Sequence, residues 1–229
     1  MSDPPLNDFL EALAHAFAKP LIPVRTAAEE LRMTAADPNS QRMGEVIFRQ
    51  VEHMERMVEA ILDLSLLQRS RLRMAHSSVE LLRVIELAVE ACRPALESKS
   101  QRLTVNMPEH ALQILGDEPR LVQIVRNLLD NAVKFTANGG SIHLSIAAAG
   151  SQAQIQVQDT GCGLTPTALA RLFDPFVSEL TAQADAGMGL SLNITRHLVE
   201  LHNGTISATS AGPGEGSQFC VSLPLSKLE

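Results

Sequence analysis

The sequence predicts an α+β protein: an N-terminal two-helix hairpin that forms a dimeric four-helix bundle, then an α/β sandwich with helices over one face of a mixed sheet. Three observations predict it. Apolar residues recur every three or four positions from Leu10 to Leu64, they alternate every second position in short runs beyond Leu103, and helical spacing returns between those runs. The first pattern draws a stripe along a helix and the second a face on a strand, so the change of period marks a change of architecture.

The first helix carries Leu10, Leu13, Phe17, Leu21, Val24, Ala28 and Leu31 on one stripe, and Asp37-Pro38-Asn39 stops it. The second carries Met43, Ile47, Gln50, Met54, Met57, Ile61 and Leu64. Two helices of about 25 residues joined by a short polar turn make an antiparallel hairpin, and a lone hairpin leaves part of each stripe wet. Pairing with a second copy removes that exposure, so a homodimer is expected; packing on the C-terminal half as a monomer is the alternative. Residues 1–68 form this hairpin. The basic run Gln68-Arg69-Ser70-Arg71-Leu72-Arg73 opens a connector over 69–78, and 79–229 form the second domain.

Residues 79–98 have helical spacing. Strand alternation follows at Leu103, Val105 and Met107, at Ile142, Leu144 and Ile146, at Ile155 and Val157, and at Phe219, Val221 and Leu223. Helical stretches lie between them at 117–136, 164–172 and 188–202.

Composition excludes several classes of function. The 229 residues are 45% hydrophobic and 20% charged with a net charge of −7, which argues against a surface built to hold nucleic-acid phosphates. There is no Trp and no Tyr for base stacking. No run approaches the ~18 apolar residues of a membrane span. Cys92, Cys162 and Cys220 lack metal-ligand spacing and read as reduced thiols. A cytoplasmic protein without nucleic-acid or membrane partners is expected.

In LVQIVRNLLDNAVKFT, Leu121, Ile124, Leu128, Ala132 and Phe135 form the buried face, and Asn127, Asn131 and Lys134 fall on one line beside it. Two amides and an ammonium suit a metal-bound polyphosphate, although a solvated helix edge has the same spacing. Asp159 shares the parity of Ile155 and Val157, so it points toward the core and needs a donor. Gly161 and Gly163 follow and permit a close approach. An acid so placed can accept from the exocyclic amine of adenine, or it can cap a tight turn. Gly187-Met188-Gly189-Leu190 opens a further helix whose free N–H groups can face phosphates.

The order NLLDNAVKF, DTGCGL, LFDPF, GMGLSL and GEGSQFCVSLPL resembles the ATP-binding domain of sensor histidine kinases, of the superfamily shared with gyrase, Hsp90 and MutL. The resemblance covers residues 80–229. It implies that Asn131 ligates Mg²⁺ with Asn127 nearby, that Lys134 contacts phosphate, and that Asp159 reads adenine with Ser217 beside it. Gly161, Gly163, Gly187, Gly189 and Leu190 shape the nucleotide site, and Phe173 and Phe176 mark the hinge into a lid. Where the family often has a further glycine this chain has Asp185. The lid, Ser178 to Ala186, contains Glu179 and no Lys or Arg.

The hairpin likewise resembles the dimerization and histidine-phosphotransfer domain, with FLEALAHAFAKPLIPV in place of the His box. This makes His15 the phosphoacceptor. Independently, His15 lies about 200° around the helix from Leu13 and Phe17, on the face away from the stripe, as an ordinary surface histidine would also lie. Pro20 cannot donate to Ala16, so a bend is expected just beyond His15. The family's usual acid after the histidine is replaced by Ala16, and its usual Thr or Asn four after the histidine by Lys19. Lys19 is read as an auxiliary charge one turn from His15 or as a solvated lysine.

The resemblance implies an ATP-dependent histidine kinase that phosphorylates His15 and passes the phosphoryl group to an aspartate of a response regulator. The alternatives are a non-enzymatic docking module, which Ala16 and the acidic lid favour, and a histidine phosphotransferase. No sensor segment precedes the hairpin, so the chain reads as a catalytic piece of a longer protein or as a kinase recruited by another kinase or sensor protein.

Overall fold

The computed structural model describes residues 4–68, 74–108, 110–175 and 189–226; within the hairpin the side chains of 4–16, 52–53, 56, 59–61 and 63–68 lie outside the description. Two compact units result, Met1–Leu72 and Arg73–Glu229.

The first unit is the hairpin of α1 (Pro4–Thr34) and α2 (Pro38–Gln68). The turn is built as its sequence demands. The Asp37 carboxylate accepts from the Ser40 N–H at 2.9 Å, Pro38 takes the first helical position, where its missing N–H is no loss, and Gln41 Nε2 donates back to the Ala35 carbonyl at 2.9 Å. These bonds to Ser40 hold the Asp37 carboxyl below its ordinary pKa. α1 runs unbroken through Pro20 and Pro23.

Each helix turns out to carry two apolar lines where the sequence suggests one stripe. Leu21, Val51 and Val58 form the buried cluster between the helices, with Ala18 and Leu62 against it, and Ala28 is also buried. At the turn end a Cβ on Gly44 would lie 2.7 Å from the Arg32 nitrogen, so only glycine permits the two backbones to come so close. Phe17, Val24, Met43, Ile47 and Met54 remain exposed. The expected stripe therefore divides: Leu21 and Ala28 face the partner helix, while Phe17, Val24 and the α2 line Met43-Ile47-Met54 do not.

The second unit opens with β1 (Ser77–Glu80), which starts inside the stretch read as connector and pairs antiparallel with β3 (Gln113–Gly116). The main sheet has five strands in the order β2 (Arg102–Asn106), β4 (Ser141–Ala149), β5 (Gln152–Asp159), β7 (Ser217–Pro224), β6 (Thr205–Thr209); only β2 and β4 are parallel. The buried side chains Ile142, Leu144 and Ile146, Ala153, Ile155 and Val157, and Phe219, Val221 and Leu223 line one face. α3 (Leu81–Ser98), α4 (Glu118–Phe135) and α6 (Ser191–Leu201) contribute the other half of that core, through Ile85, Leu128 and Leu198 among others. Each such fully buried aliphatic contributes about 1.5–3 kcal/mol relative to exposure. The short α5 (Pro166–Arg171) is capped by the Thr165 hydroxyl, which accepts from Ala168 at 3.1 Å. The mixed α+β architecture read from periodicity is thus present. A strand is present at Leu103 and Val105, but the expected alternation is not: β2 is an edge strand in which Leu103 is half-buried and Val105 exposed, and Met107, also exposed, lies beyond its end.

Candidate functional site

α4 starts at Asp117, whose carboxylate accepts from Arg120 N–H at 3.2 Å, and its packed face holds Leu121, Ile124, Leu128 and Ala132 buried, as the spacing requires. Phe135, expected on that face, is half-buried at the helix end. Beside the core, Asn127 directs Nδ2 into α6, donating to Thr195 Oγ1 at 3.0 Å and to the Ser191 carbonyl at 3.4 Å. Thr195 is fully buried and donates in turn to Ser191 O at 2.7 Å. One turn on, the Asn131 Nδ2 is buried with no hydrogen-bond partner. An amide nitrogen left so pays a desolvation cost of roughly 1–3 kcal/mol unless a ligand supplies an acceptor. The Lys134 ammonium lies 5.0 Å from the centre of the Phe135 ring.

The C-terminal carbonyls of α4 are gathered by two side chains from the loop between α3 and β2. Lys99 Nζ donates to Val133 O at 2.8 Å and Lys134 O at 3.1 Å, and Gln101 Nε2 donates to Val133 O at 3.0 Å and Thr136 O at 2.8 Å. A cation at a helix C-terminus also meets the negative end of its dipole. On the side facing α3, the Cys92 thiol donates to Asp130 at 3.4 Å, and burial, assisted by the Asp130 charge, pushes its pKa up to about 12.

Asp159 ends β5 on the buried side of the sheet, 5% exposed. Both of its oxygens are engaged: Oδ1 accepts from Gly161 N–H at 2.8 Å and Oδ2 from the Ser217 hydroxyl at 2.5 Å. Ser217 is its direct cross-strand partner on β7. A Cβ on Gly161 would fall 2.5 Å from the Phe135 carbonyl, which already accepts from Cys162 N–H at 3.2 Å. Gly163 has φ +65° and packs against the Gly212 carbonyl, so both turn glycines are required by backbone geometry. The turn consequently joins the end of α4 to the β5–β7 pair.

Gly189 has φ +66° and Leu190 is buried as α6 begins. Phe173 O accepts from Asn193 Nδ2 at 2.9 Å, tying the end of the α5 segment to α6. Gly187, Phe176 and the lid Ser178 to Ala186 lie outside the described residues, as do the side chains of His15 and Ala16; the backbone at 15 and 16 belongs to α1. Lys19 is exposed on the same helix. The structure therefore brings Asp159, Gly161, Gly163 and Ser217 together, with Gly161 against Phe135 at the end of α4; Asn127, Asn131 and Lys134 follow one another along α4, and Asn127 is bonded to α6. His15 and Lys19 belong to the other unit.

Sequence reasoning missed Thr195 and Ser210. Thr195 sits one turn after Ser191 on the buried side of α6, a weak signal that Asn127 needs an acceptor there. Ser210 heads the glycine-rich loop SAGPGEG, whose composition marks a turn but not its target.

Among the described residues no helix is long and apolar enough to cross a membrane. Residues 116–227 match the family described as histidine kinase-, DNA gyrase B- and HSP90-like ATPases, and residues 6–70 match the His Kinase A (phospho-acceptor) domain. The chain is 33% identical over 227 residues to the adaptive-response sensory kinase SasA of Crocosphaera subtropica, covering 96% of this chain and 59% of that protein. It is 30% identical over 221 residues to the sensor-like histidine kinase SenX3 of Mycolicibacterium smegmatis, covering 95% and 57%. The chain thus spans little more than half the length of these relatives. The crystal structure of full-length ShkA in complex with AMPPNP superposes with a TM-score of 0.76 at 27% identity, covering 96% of this chain and 46% of that one. The Acinetobacter baumannii histidine kinase AdeS shares the fold at a TM-score of 0.66 and 19% identity, over 92% and 98% of the two chains. With a phospho-acceptor hairpin followed by an ATPase-type domain, and a site assembled at the end of α4 against β5, the chain belongs to the histidine kinase family as its two-domain catalytic core.

Proposed function

We propose that the chain is an ATP-dependent protein-histidine kinase core that phosphorylates His15 and hands the phosphoryl group to an aspartate of a response regulator. The observation that carries the reading is the paired state of Asp159 together with the unpaired state of Asn131: the turn is built around a buried acid, and an amide of α4 still needs a partner. Both fit a nucleotide. Asp159 accepts the amine of adenine, Gly161 and Gly163 hold the turn that presents it, and Asn131 offers its amide to Mg²⁺ and phosphate, since the assignment of its oxygen and nitrogen is interchangeable. Asn127, held by Thr195, and Lys134 complete the phosphate end, with Gly187, Gly189 and Leu190 leading into α6. Mg-ATP supplies the γ-phosphoryl group. A neutral imidazole nitrogen of His15 attacks the phosphorus, the bond to the bridging oxygen breaks, and ADP leaves.

In this reading residues 1–68 are the dimerization and phosphotransfer hairpin, 69–78 the connector and 79–229 the ATP-binding domain. The exposed line Phe17, Val24, Met43, Ile47 and Met54 supports homodimerization, because it is the apolar surface that α1 and α2 do not cover for each other. The cytoplasmic location belongs to the same proposal. Ala16 removes the acid that would receive the imidazole proton, a loss worth ~10²–10⁴ in rate, so transfer is slow. Lys19, exposed one turn further along α1, has no amide or hydroxyl to orient a water, so dephosphorylation of the regulator is not expected.

Incubation with Mg²⁺ and γ-labelled ATP tests this. Label is expected on the wild type, none on His15→Ala, strongly reduced label on Asn131→Ala, and a rate raised by about 10-fold or more in Ala16→Glu. ATP binding without any label would replace the kinase with a docking module, and label acquired only from a phosphorylated receiver would make the chain a phosphotransferase.

A further inference from the structure

The segment 210–216 supplies two of the backbone bonds that hold the Asp159 turn. Gly214 N–H donates to Cys162 O at 2.7 Å and Gly216 N–H to Gly161 O at 3.1 Å, while Ser217 holds Asp159. Ordering this segment is costly. Gly212, Gly214 and Gly216 all have positive φ, and each glycine loses more freedom on ordering than any other residue.

One side chain closes it. The half-buried Ser210 hydroxyl donates to the Gly216 carbonyl at 2.6 Å, joining the start of the loop to its end. The same oxygen accepts from Leu164 N–H at 3.0 Å and from Gly212 N–H at 3.3 Å, joining the loop to the far end of the Asp159 turn. Ser210 thus links the two backbones between which Asp159 and Ser217 face each other. No other described side chain bonds to both segments.

We infer that Ser210 is a positioning residue that fixes the purine end of the nucleotide site and sets its preference for a 6-amino purine; the inference rests on the adenine-reading role proposed for Asp159. The chemistry is a matter of polarity. A fixed carboxylate accepts from the amine of adenine but meets the carbonyl oxygen of guanine acceptor to acceptor, and a site built around one hydrogen bond discriminates strongly against a ligand that cannot make it. Releasing the 210–216 loop lets Asp159 and Ser217 shift, which weakens the bond to adenine and relaxes the clash with guanine together.

Calorimetric titration of the full chain with Mg-ATP and Mg-GTP, for wild type, Ser210→Ala and Ser210→Thr, tests it beside the thermal midpoint of each. Ser210→Ala is expected to raise the Kd for ATP about tenfold with GTP within about twofold, so the preference falls about tenfold, and Ser210→Thr, which keeps the hydroxyl, restores it. Unchanged ATP affinity in Ser210→Ala, with the wild type binding normally, overturns the inference and leaves the nucleotide site standing. Equal losses for both nucleotides with a lowered midpoint overturn it in favour of a purely structural serine. A wild type that binds neither nucleotide overturns the site and the inference with it.

Discussion

The Nε2 of His202 accepts the Asp117 N–H at 3.1 Å while its Nδ1 donates to the Leu198 carbonyl at 2.7 Å, so the neutral ring joins the C-terminus of α6 to the N-terminus of α4. Asp117 in turn accepts from Ala75 N–H at 2.9 Å. The fit is tight: a Cβ on Gly116 would lie 2.6 Å from the His202 ring. Burial lowers the His202 pKa from its ordinary 6.5; the bond to Leu198 and the Asp117 charge oppose that, and His76 adds to it. A histidine whose folded pKa is depressed takes up its proton first in the unfolded chain. Its contribution is present above about pH 6.5 and is lost as the pH falls below that value. Urea unfolding midpoints at pH 7.5 and 5.5 should therefore drop further in the wild type than in His202→Gln; an equal drop would assign the acid sensitivity to other groups. At this scale Asp159 could be read from the parity of β5, because a strand alternates its faces whatever it packs on. Thr195, Ser210 and His202 could not, since each acts across a contact between segments far apart in the chain.

Among the elements, the hairpin shows best what periodicity conveys and what it conceals. The stop at Asp37-Pro38 and both helices follow from the sequence, because caps and apolar spacing are local facts. Which apolar residue faces which neighbour is not local: Leu21 lies on the expected stripe of α1, but its partners in the inner cluster are Val51 and Val58 of α2, which fall outside the line Met43-Ile47-Met54, and that line is exposed. The two lines make separable predictions. Leu21→Ala, which hollows the inner cluster, should lower the stability of the hairpin by about 2–4 kcal/mol in denaturant titrations. Ile47→Glu should leave that stability nearly unchanged while raising the dimer dissociation constant by roughly 10² in sedimentation equilibrium, because it puts like charges into the proposed seam. A dimer indifferent to Ile47→Glu would place the seam elsewhere. Strands β1, β3 and β6 went unread for a different reason. The first two span four residues each and bury a single aliphatic apiece, Val79 and Ile114, too few to display alternation, and β6 is an edge strand whose one large apolar residue is Ile206.

For the molecule as a whole, the division into two units follows from the change of period, since a helical stripe and an alternating strand bury their apolar surface in incompatible ways. The nucleotide end of the second unit was legible wherever glycine and a buried acid betray close backbone approach. Asn127 and Asn131, proposed for the phosphate end, fall on one line in the sequence, but the bond of Asn127 to Thr195 emerges only once α6 is packed beside α4. The contact between Lys134 and Phe135 has an optical consequence. With no Trp and no Tyr in the chain, fluorescence excited near 295 nm is essentially dark, and Phe135→Trp would install a single emitter 5.0 Å from where the Lys134 ammonium now lies. Nucleotide phosphate that draws the ammonium off the ring should change the emission of that indole against no background, giving a titration in which the protein reports its own occupancy without a labelled ligand.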